Sequence, residues 1–514
     1  MRITYNDSMS LKFLSFTTCL LLLATIFFGY RTYKQDKVAY LSGKNIVYKQ
    51  GDVLGISTDE ASVAIDFARQ VSVASPLIFG GAHAPRLTDT KAWDQIESAG
   101  VTAIRLDFFL DRYIPSKFTV DQYKQNVGDV QNPKLWNQTE INNVKGVYQQ
   151  AHKRNMKVMG ILAYNVKWLS LSDTNYGVPK DWAVFDDLAQ KSYRIFRDDL
   201  DYLEIWNEPD MDVFWNMKNS GLKKEDAYYT LVQHAIADIR KVDAEINDGK
   251  RMKIGIGVTA IPTNTGYIEK VLADPNLRKE VDFVSYHNYE HLKEPSNLAL
   301  NKVLAKYNLS NLPTFVTEWA HAPSMKKADS YVLEDVAIPY AGGKLIDFLK
   351  MGIAGANYFS MQPIIPDSPR GDEGYLGFYT GQGSSLNMLP IIKTWSLMSK
   401  TMGLGKGDNK IYAAEQSDEK VIGVNNSIND LGIVLSNPSY QMKTFNLTLY
   451  NLPLKSDVVA EAYVASGDLD GKSIIGTTLV KSRADGNSLK VLAPANSVVG
   501  IKLRQATWKD KLPF

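Results

Sequence analysis

The chain has 514 residues, 45% of them apolar and 22% charged, the make-up of a folded protein with room for one large domain and a smaller one. A net charge of +2 gives no electrostatic reason to expect nucleic acid as a partner. Cys19 is the only cysteine, which excludes an intrachain disulfide, so stability must come from the core.

Residues 1–35 contain an uncharged, Leu-rich run from Phe13 to Tyr30, long enough to cross a membrane at the short end of the range. No small-x-small cleavage site follows it, so an uncleaved N-terminal transmembrane helix is expected. Cys19 then reads as a membrane-facing apolar residue. The alternative is the core of a signal peptide, with the protein secreted after cleavage. Arg2 and Lys12 before the run, and Arg31, Lys34 and Lys37 after it, do not orient it.

Residues 36–75 read as a linker with short strands, at Ile46-Val47-Tyr48 and at 61–65, that could join a later sheet. From 76 to 403 strands and helices alternate. The strands are expected at Leu77–Gly80, Ala103–Phe108, Lys157–Tyr164, Tyr202–Asn207, Lys253–Val258, Asp282–Tyr289, Thr314–Glu318 and Gly355–Ser360. Amphipathic helical stretches lie between them and after the last. Alternation of this kind predicts an α/β fold, a (β/α)8 TIM barrel. An open doubly wound sheet is disfavoured because no Gly-rich phosphate loop opens a helix. Residues 404–514 change to short strands separated by turn residues, the pattern of an antiparallel β-sandwich.

Two strand ends carry the chemistry. Leu203-Glu204-Ile205-Trp206-Asn207-Glu208-Pro209 reads as a buried strand stopped by proline, with Glu208 at its C-terminal end. Thr314–Glu318 ends in a second glutamate, followed by Trp319. Catalytic groups of such barrels lie at this rim, and two carboxylates on separate strand ends suffice for glycoside cleavage. By alternation Glu204 and Glu208 share a face, and Asn207 points away unless the strand end twists. Arg105, in strand two, is a candidate partner for Glu204 or for the strand-end carboxylates. His287 and Tyr289 share a face on strand six, where a tyrosine hydroxyl can hold a carboxylate in its charged form. Four of the six histidines (His83, His287, His291, His321) fall at predicted strand ends. A metal held by His287, His291 and His321 lacks supporting ligand spacing, so no metal or cofactor is expected.

Trp206-Asn207-Glu208-Pro209, His287-x-Tyr289 and Thr317-Glu318-Trp319 together resemble the signature of clan A retaining glycoside hydrolases. The context of the first motif is most similar to family 39, including its membrane-anchored exopolysaccharide-locus members. The resemblance implies Glu208 as acid/base, Glu318 as nucleophile, Asn207 on the sugar 2-hydroxyl and Arg105 beside the nucleophile. It departs at strand eight, where many relatives carry a tryptophan platform and this chain reads Asn357-Tyr358-Phe359-Ser360.

The expected function is a retaining glycosidase, endo-acting on an extracellular or exported polysaccharide. It would be held to the outer face of a membrane by residues 13–30, with polysaccharide export machinery as a partner. Alternatives are an exo-acting β-xylosidase-like enzyme, a transglycosylase using the same covalent intermediate, and a binding module with a retired site. Besides the residues above, His83, Tyr164, Trp168 and Trp319 are expected to touch sugar. Loops carrying Asn165, then Phe214 and Trp215, then the stretch from Gln362 to Ser385 with Asp367, Arg370, Asp372 and Glu373, are expected to wall the cleft.

Overall fold

The computed structural model describes residues 39–42, 45–48, 59–126, 128–289, 297–321, 334–362, 377–381, 385–407, 409–415, 417–426, 431–454, 456–481, 486–508 and 510. The run 13–30, His291, Asp367, Arg370, Asp372 and Glu373 lie outside them. No helix of the described residues is long and apolar enough to cross a membrane.

Before the barrel lie β1 (Ala39–Ser42), β2 (Asn45–Tyr48) and β3 (Glu60–Ala74). Eight parallel strands then close into a ring: β4 (Gly80–Ala82), β5 (Ala103–Asp107), β6 (Lys157–Leu162), β7 (Tyr202–Ile205), β8 (Lys253–Thr259), β9 (Phe283–Tyr289), β10 (Thr314–Ala320) and β11 (Gly355–Tyr358). The ring closes where β11 pairs with both β10 and β4. Strand one differs from expectation. Ser75 accepts from the Leu77 amide and Pro76 opens a 3-10 turn over Pro76–Phe79, so the strand begins only at Gly80. A proline with a serine cap before it favours a helical turn.

The helices α1 (Thr90–Ala99), α2 (Gln138–Lys153), α3 (Trp182–Phe196), α4 (Lys224–Ile246), α5 (Gly266–Ala273), α6 (Leu298–Lys306) and α7 (Ala337–Met351) cover the ring. Each buries residues at helical spacing, as in α1, where Ala92, Trp93, Ile96 and Ala99 face the strands. The helix expected last is Ile392–Trp395, continued by a wider helical turn over Ser396–Thr401.

The N-terminal end of the ring is plugged by Met159, Phe283 and Phe315, with Leu77, Tyr202 and Ala354 packed against them. Glycine makes room for this plug. A Cβ at Gly255 would come within 2.0 Å of the Phe283 ring, and one at Gly355 within 2.5 Å of the Phe315 ring.

After a small hairpin of β12 (Tyr379–Thr380) and β13 (Asn387–Met388) come β14 (Asn409–Glu415), β15 (Val421–Asn426), β16 (Leu431–Asn437), β17 (Lys443–Tyr450), β18 (Val458–Ala465), β19 (Gly476–Val480), β20 (Asn487–Ala493) and β21 (Ser497–Gln505). With β1, β2 and β3 they form one 11-stranded sheet. One face encloses a second core that includes Ile65, Ile433, Phe445 and Val491. The sheet is not wholly antiparallel, because β3 runs parallel to β17 while pairing antiparallel with β14. The long β3 therefore fills a gap between C-terminal strands and then leads directly into the barrel. Ile411, Val434 and Val498 pack into the barrel's own core, and Lys420 pairs with Asp347 of α7 at 2.6 Å.

Candidate active site

The chain leaves β7 through two residues in the left-handed region, Trp206 at φ 71° and Glu208 at φ 47°. Non-glycine residues hold such angles only where neighbours over-determine them. Here the Trp206 amide donates to the Leu162 carbonyl at 3.1 Å, and the Glu208 amide to that of Val258 at 2.9 Å. The Trp206 indole N–H donates to the Phe214 carbonyl at 2.9 Å. Val258 itself sits at φ 48°. This twist breaks the alternation expected from a regular strand, and Asn207 and Glu208 both reach the cleft.

Arg105 joins the two halves of the site. Its Nε donates to Glu204 Oε2 at 2.6 Å, Nη1 to Glu318 Oε1 at 2.7 Å, and Nη2 to Asn207 Oδ1 at 3.0 Å. Ser285 Oγ donates to the other Glu204 oxygen at 2.6 Å. Glu204 is fully buried, whereas Glu208 and Glu318 keep 9% and 8% of their surface. Glu204 therefore anchors the arginine, and the other two carboxylates open to the cleft.

On the facing side, Tyr289 Oη donates to Glu318 Oε2 at 2.6 Å. His287 Nδ1 lies 2.7 Å from Glu208 Oε1 and 3.4 Å from Glu318 Oε2. Oxygens of both carboxylates and a ring nitrogen of His287 fall within 4.8 Å of one another. The β9–β10 pairing shifts register between Val316 and Glu318, which sets Glu318 beside His287. Burial opposes the Glu318 charge. The positive charges of His287 and Arg105 and the Tyr289 hydroxyl overcome it and hold the carboxyl below the usual glutamate range. Burial works against His287 as well, yet the two carboxylates pull its pKa upward. Burial and the neighbouring glutamates push the Tyr289 hydroxyl well up, so it stays a donor.

Tyr164 Oη accepts from Asn207 Nδ2 at 3.0 Å, and its ring stacks on Phe109 at 4.9 Å. His83, at φ 50°, meets Phe359 edge-on at 5.0 Å. Phe359 also meets Tyr289, at 6.3 Å. Phe359, in the strand-eight stretch that lacks the tryptophan of many relatives, stands between His83 and Tyr289.

Other expected contacts are not assembled. Trp319, expected to touch sugar, does not: it is fully buried, 5.8 Å from Trp395 and 5.2 Å from Tyr358, on the helix side of β10. Glu318 turns inward, so its neighbour must turn outward. Trp168 is buried too, stacked on Tyr123 at 5.8 Å, its N–H donated to the Pro115 carbonyl at 2.9 Å, so it packs its loop. Trp215 lies fully buried against Trp206, and Asn165 donates to the Gly177 carbonyl. Phe214 is half-buried and stacks near Tyr164 at 6.1 Å. His321 packs edge-on to Tyr340 at 5.5 Å.

What the cleft can do follows from these positions. One carboxylate is held ionised by a guanidinium and a phenol. A second lies a few ångströms away with its own imidazole partner. That pair can attack an electrophilic carbon and manage a proton on the atom that leaves.

The family model for cellulases (glycosyl hydrolase family 5) matches residues 68–342, more than half of the chain and a span that includes both glutamates. No curated protein matches the chain. Among solved structures, a glucosidase from Croceicoccus marinus aligns with a TM-score of 0.62 at 15% identity, covering 87% of this chain and 99% of that one. A monomeric beta-xylosidase from Caulobacter crescentus aligns with a TM-score of 0.60 at 17% identity, covering 87% and 100%. A glycoside hydrolase family 30 subfamily 8 xylanase from Clostridium acetobutylicum gives 0.60 at 14% identity, covering 86% and 99%. At such identities the likeness is one of fold, barrel and sheet together. The matched family is 5, where the motif context resembles 39, and both readings fall in the same clan. The chain belongs to the cellulase family, glycosyl hydrolase family 5, of clan A, and is a glycosidase.

Proposed function

We propose that this glycosidase works by retaining double displacement, with Glu318 as nucleophile and Glu208 as acid/base. The observation that carries the reading is the grip on Glu318: Arg105 holds one oxygen at 2.7 Å and Tyr289 the other at 2.6 Å, with an oxygen of Glu208 inside the 4.8 Å cluster. Retaining enzymes place their carboxyls about 5–5.5 Å apart, and inverting enzymes leave room for a water between them. Glu318 attacks the anomeric carbon as Glu208 protonates the departing oxygen. The bond to the leaving sugar breaks and a glycosyl ester forms. Water then attacks that carbon, Glu208 takes its proton, and Glu318 is freed with the anomeric configuration kept.

We further propose an endo-acting enzyme on an extracellular or exported polysaccharide, tethered outside the cytoplasm by residues 13–30. The family-39-like motif context and the uncharged N-terminal run support this reading. The exo-acting and transglycosylating alternatives use the same carboxylates. A 2-deoxy-2-fluoro glycosyl fluoride tests the chemistry: mass spectrometry is expected to find the label on Glu318, and a label on any other residue sinks the assignment. Product sizes from a polysaccharide separate internal from terminal cleavage. Membrane fractionation of full-length protein tests the tether; a soluble product lacking residues 1–30 would show a cleaved signal instead.

A further inference from the structure

We propose that Asp107 reads a hydroxyl of the sugar bound beside Glu318, and that it selects a neutral sugar there over a uronate. This rests on the hydrolase reading above and names its substrate class. Arg105 of β5 turns into the ring, and Phe108, the residue just after the strand, turns out to stack on Phe196 of α3 at 5.0 Å. By alternation Asp107 turns in, one layer nearer the rim than Arg105. It is 3% exposed, and its Oδ2 is buried without a hydrogen bond. Arg112 Nη2 approaches that oxygen to 3.5 Å from a side chain 45% exposed, near enough to soften the charge and too far to bond well. A buried carboxylate oxygen without a donor is costly, and a sugar hydroxyl reaching it from the cleft would supply the donor.

The surroundings say which donor. His83 lies on the neighbouring strand end, its amide bonded to the Arg105 carbonyl at 3.0 Å. Burial holds its pKa down against the pull of Asp107 and Glu318, so the ring is neutral, with one N–H and one acceptor nitrogen. A hydroxyl can donate to Asp107 while accepting from such a ring. A carboxylate in that place meets Asp107 and Glu318, the two carboxylates that pull on the His83 ring. The cations nearby are already engaged: Arg105 serves Glu204, Glu318 and Asn207, His287 lies between Glu208 and Glu318, and Arg112 stands against Asp107 itself. Like charges brought together in a buried site are disfavoured, so a uronate is rejected.

The test uses the full chain and its Asp107→Asn variant on xylo-, gluco- and glucurono-oligosaccharides with β linkages. Cleavage is read as kcat/KM and product mass. The unmodified enzyme is expected to turn over neutral members at least about 100-fold faster than those with a uronate at the cleaved residue. Asp107→Asn keeps the shape, removes the charge, and is expected to narrow that ratio about 10-fold or more while slowing neutral substrates. A ratio unmoved by the substitution overturns the proposal, as does equal turnover of uronates by the unmodified enzyme, which holds even if the variant does not fold. Cleavage of no member, together with no fluoro-sugar label on Glu318, instead sinks the hydrolase reading, and this inference with it.

Discussion

The two ends of one ring of strands are built from opposite materials. At the N-terminal end, Phe283, Phe315 and Met159 fill the ring with hydrocarbon. At the C-terminal end the same strands carry His287, Tyr289 and Glu318 on β9 and β10 and Arg105 on β5, joined by bonds of 2.6–3.4 Å. Along β10, Phe315 and Glu318 are three residues apart and belong to different machines. The floor supplies cohesion that does not depend on charge. The rim holds like charges together, which only a rigid frame can sustain.

The largest effects should separate the two ends. Glu318→Gln is expected to cost about 10^4-fold or more in kcat while leaving the melting temperature nearly unchanged. Phe315→Ala is expected to do the reverse, removing about 3–5 kcal/mol of stability with activity of the folded fraction kept. Denaturant unfolding beside steady-state kinetics measures both, and similar losses of activity and stability in each variant would erase the distinction between the ends.

Arg105→Met sits between the two. It leaves Glu204 buried without its guanidinium partner, so about 3–5 kcal/mol of stability should go along with activity. An Arg105→Met, Glu204→Leu double variant should recover the stability without the turnover.

Tyr289→Phe removes one donor to Glu318 and should cost about 1.5–3 kcal/mol of its charge stabilisation. Its signature is the pH profile. In the unmodified enzyme the acid limb of kcat/KM is expected below the ordinary glutamate value of 4.5, because the Glu318 pKa is lowered. The sign is that of a depressed carboxylate: its contribution to stability is present above 4.5 and fades as pH falls through the lower folded-state value. Tyr289→Phe should move that limb upward, and an unmoved limb would remove the hydroxyl from the account.

The smallest effect tests the same logic on the outer layer. Asp238 of α4 is also buried, but it meets Asp186 and accepts from Gln190 at 2.7 Å. Burial first and Asp186 next push its carboxyl up to about 8. Its protonated form favours the fold, so its contribution is present below 3.8 and lost as pH rises through about 8. Asp238→Asn should raise the melting temperature at pH 8 by about a degree or two and do little at pH 4. Burial thus moves Asp238 up, while His287 and Arg105 bring Glu318 down.

Much of this was legible in the chain. Pro209 marks the exit from β7, though the strand itself stops at Ile205, short of the expected Asn207, and the alternation of apolar strands with amphipathic helices announces the barrel, because both signals are local. The misses are local rules overruled or unused. Pro76 turned the first expected strand into a helical turn. Trp319 neighbours an inward Glu318 and so faces away from sugar, and Asp107 shares a face with Arg105; the alternation that gives both is already in the sequence. Asn207 could not be placed, since its orientation depends on left-handed angles at Trp206 and Glu208 that contacts with Leu162 and Val258 impose.

What the sequence determined by itself is the set of strand ends and the residue types they carry, since period, proline and capping act within a few residues of each other. The tertiary structure alone decided that one guanidinium reaches Glu204, Asn207 and Glu318, that β3 inserts between C-terminal strands, and that Phe359 stands beside Tyr289. Those contacts join segments far apart in the chain. They exist only once the ring closes and its register is set, and no local pattern carries that information.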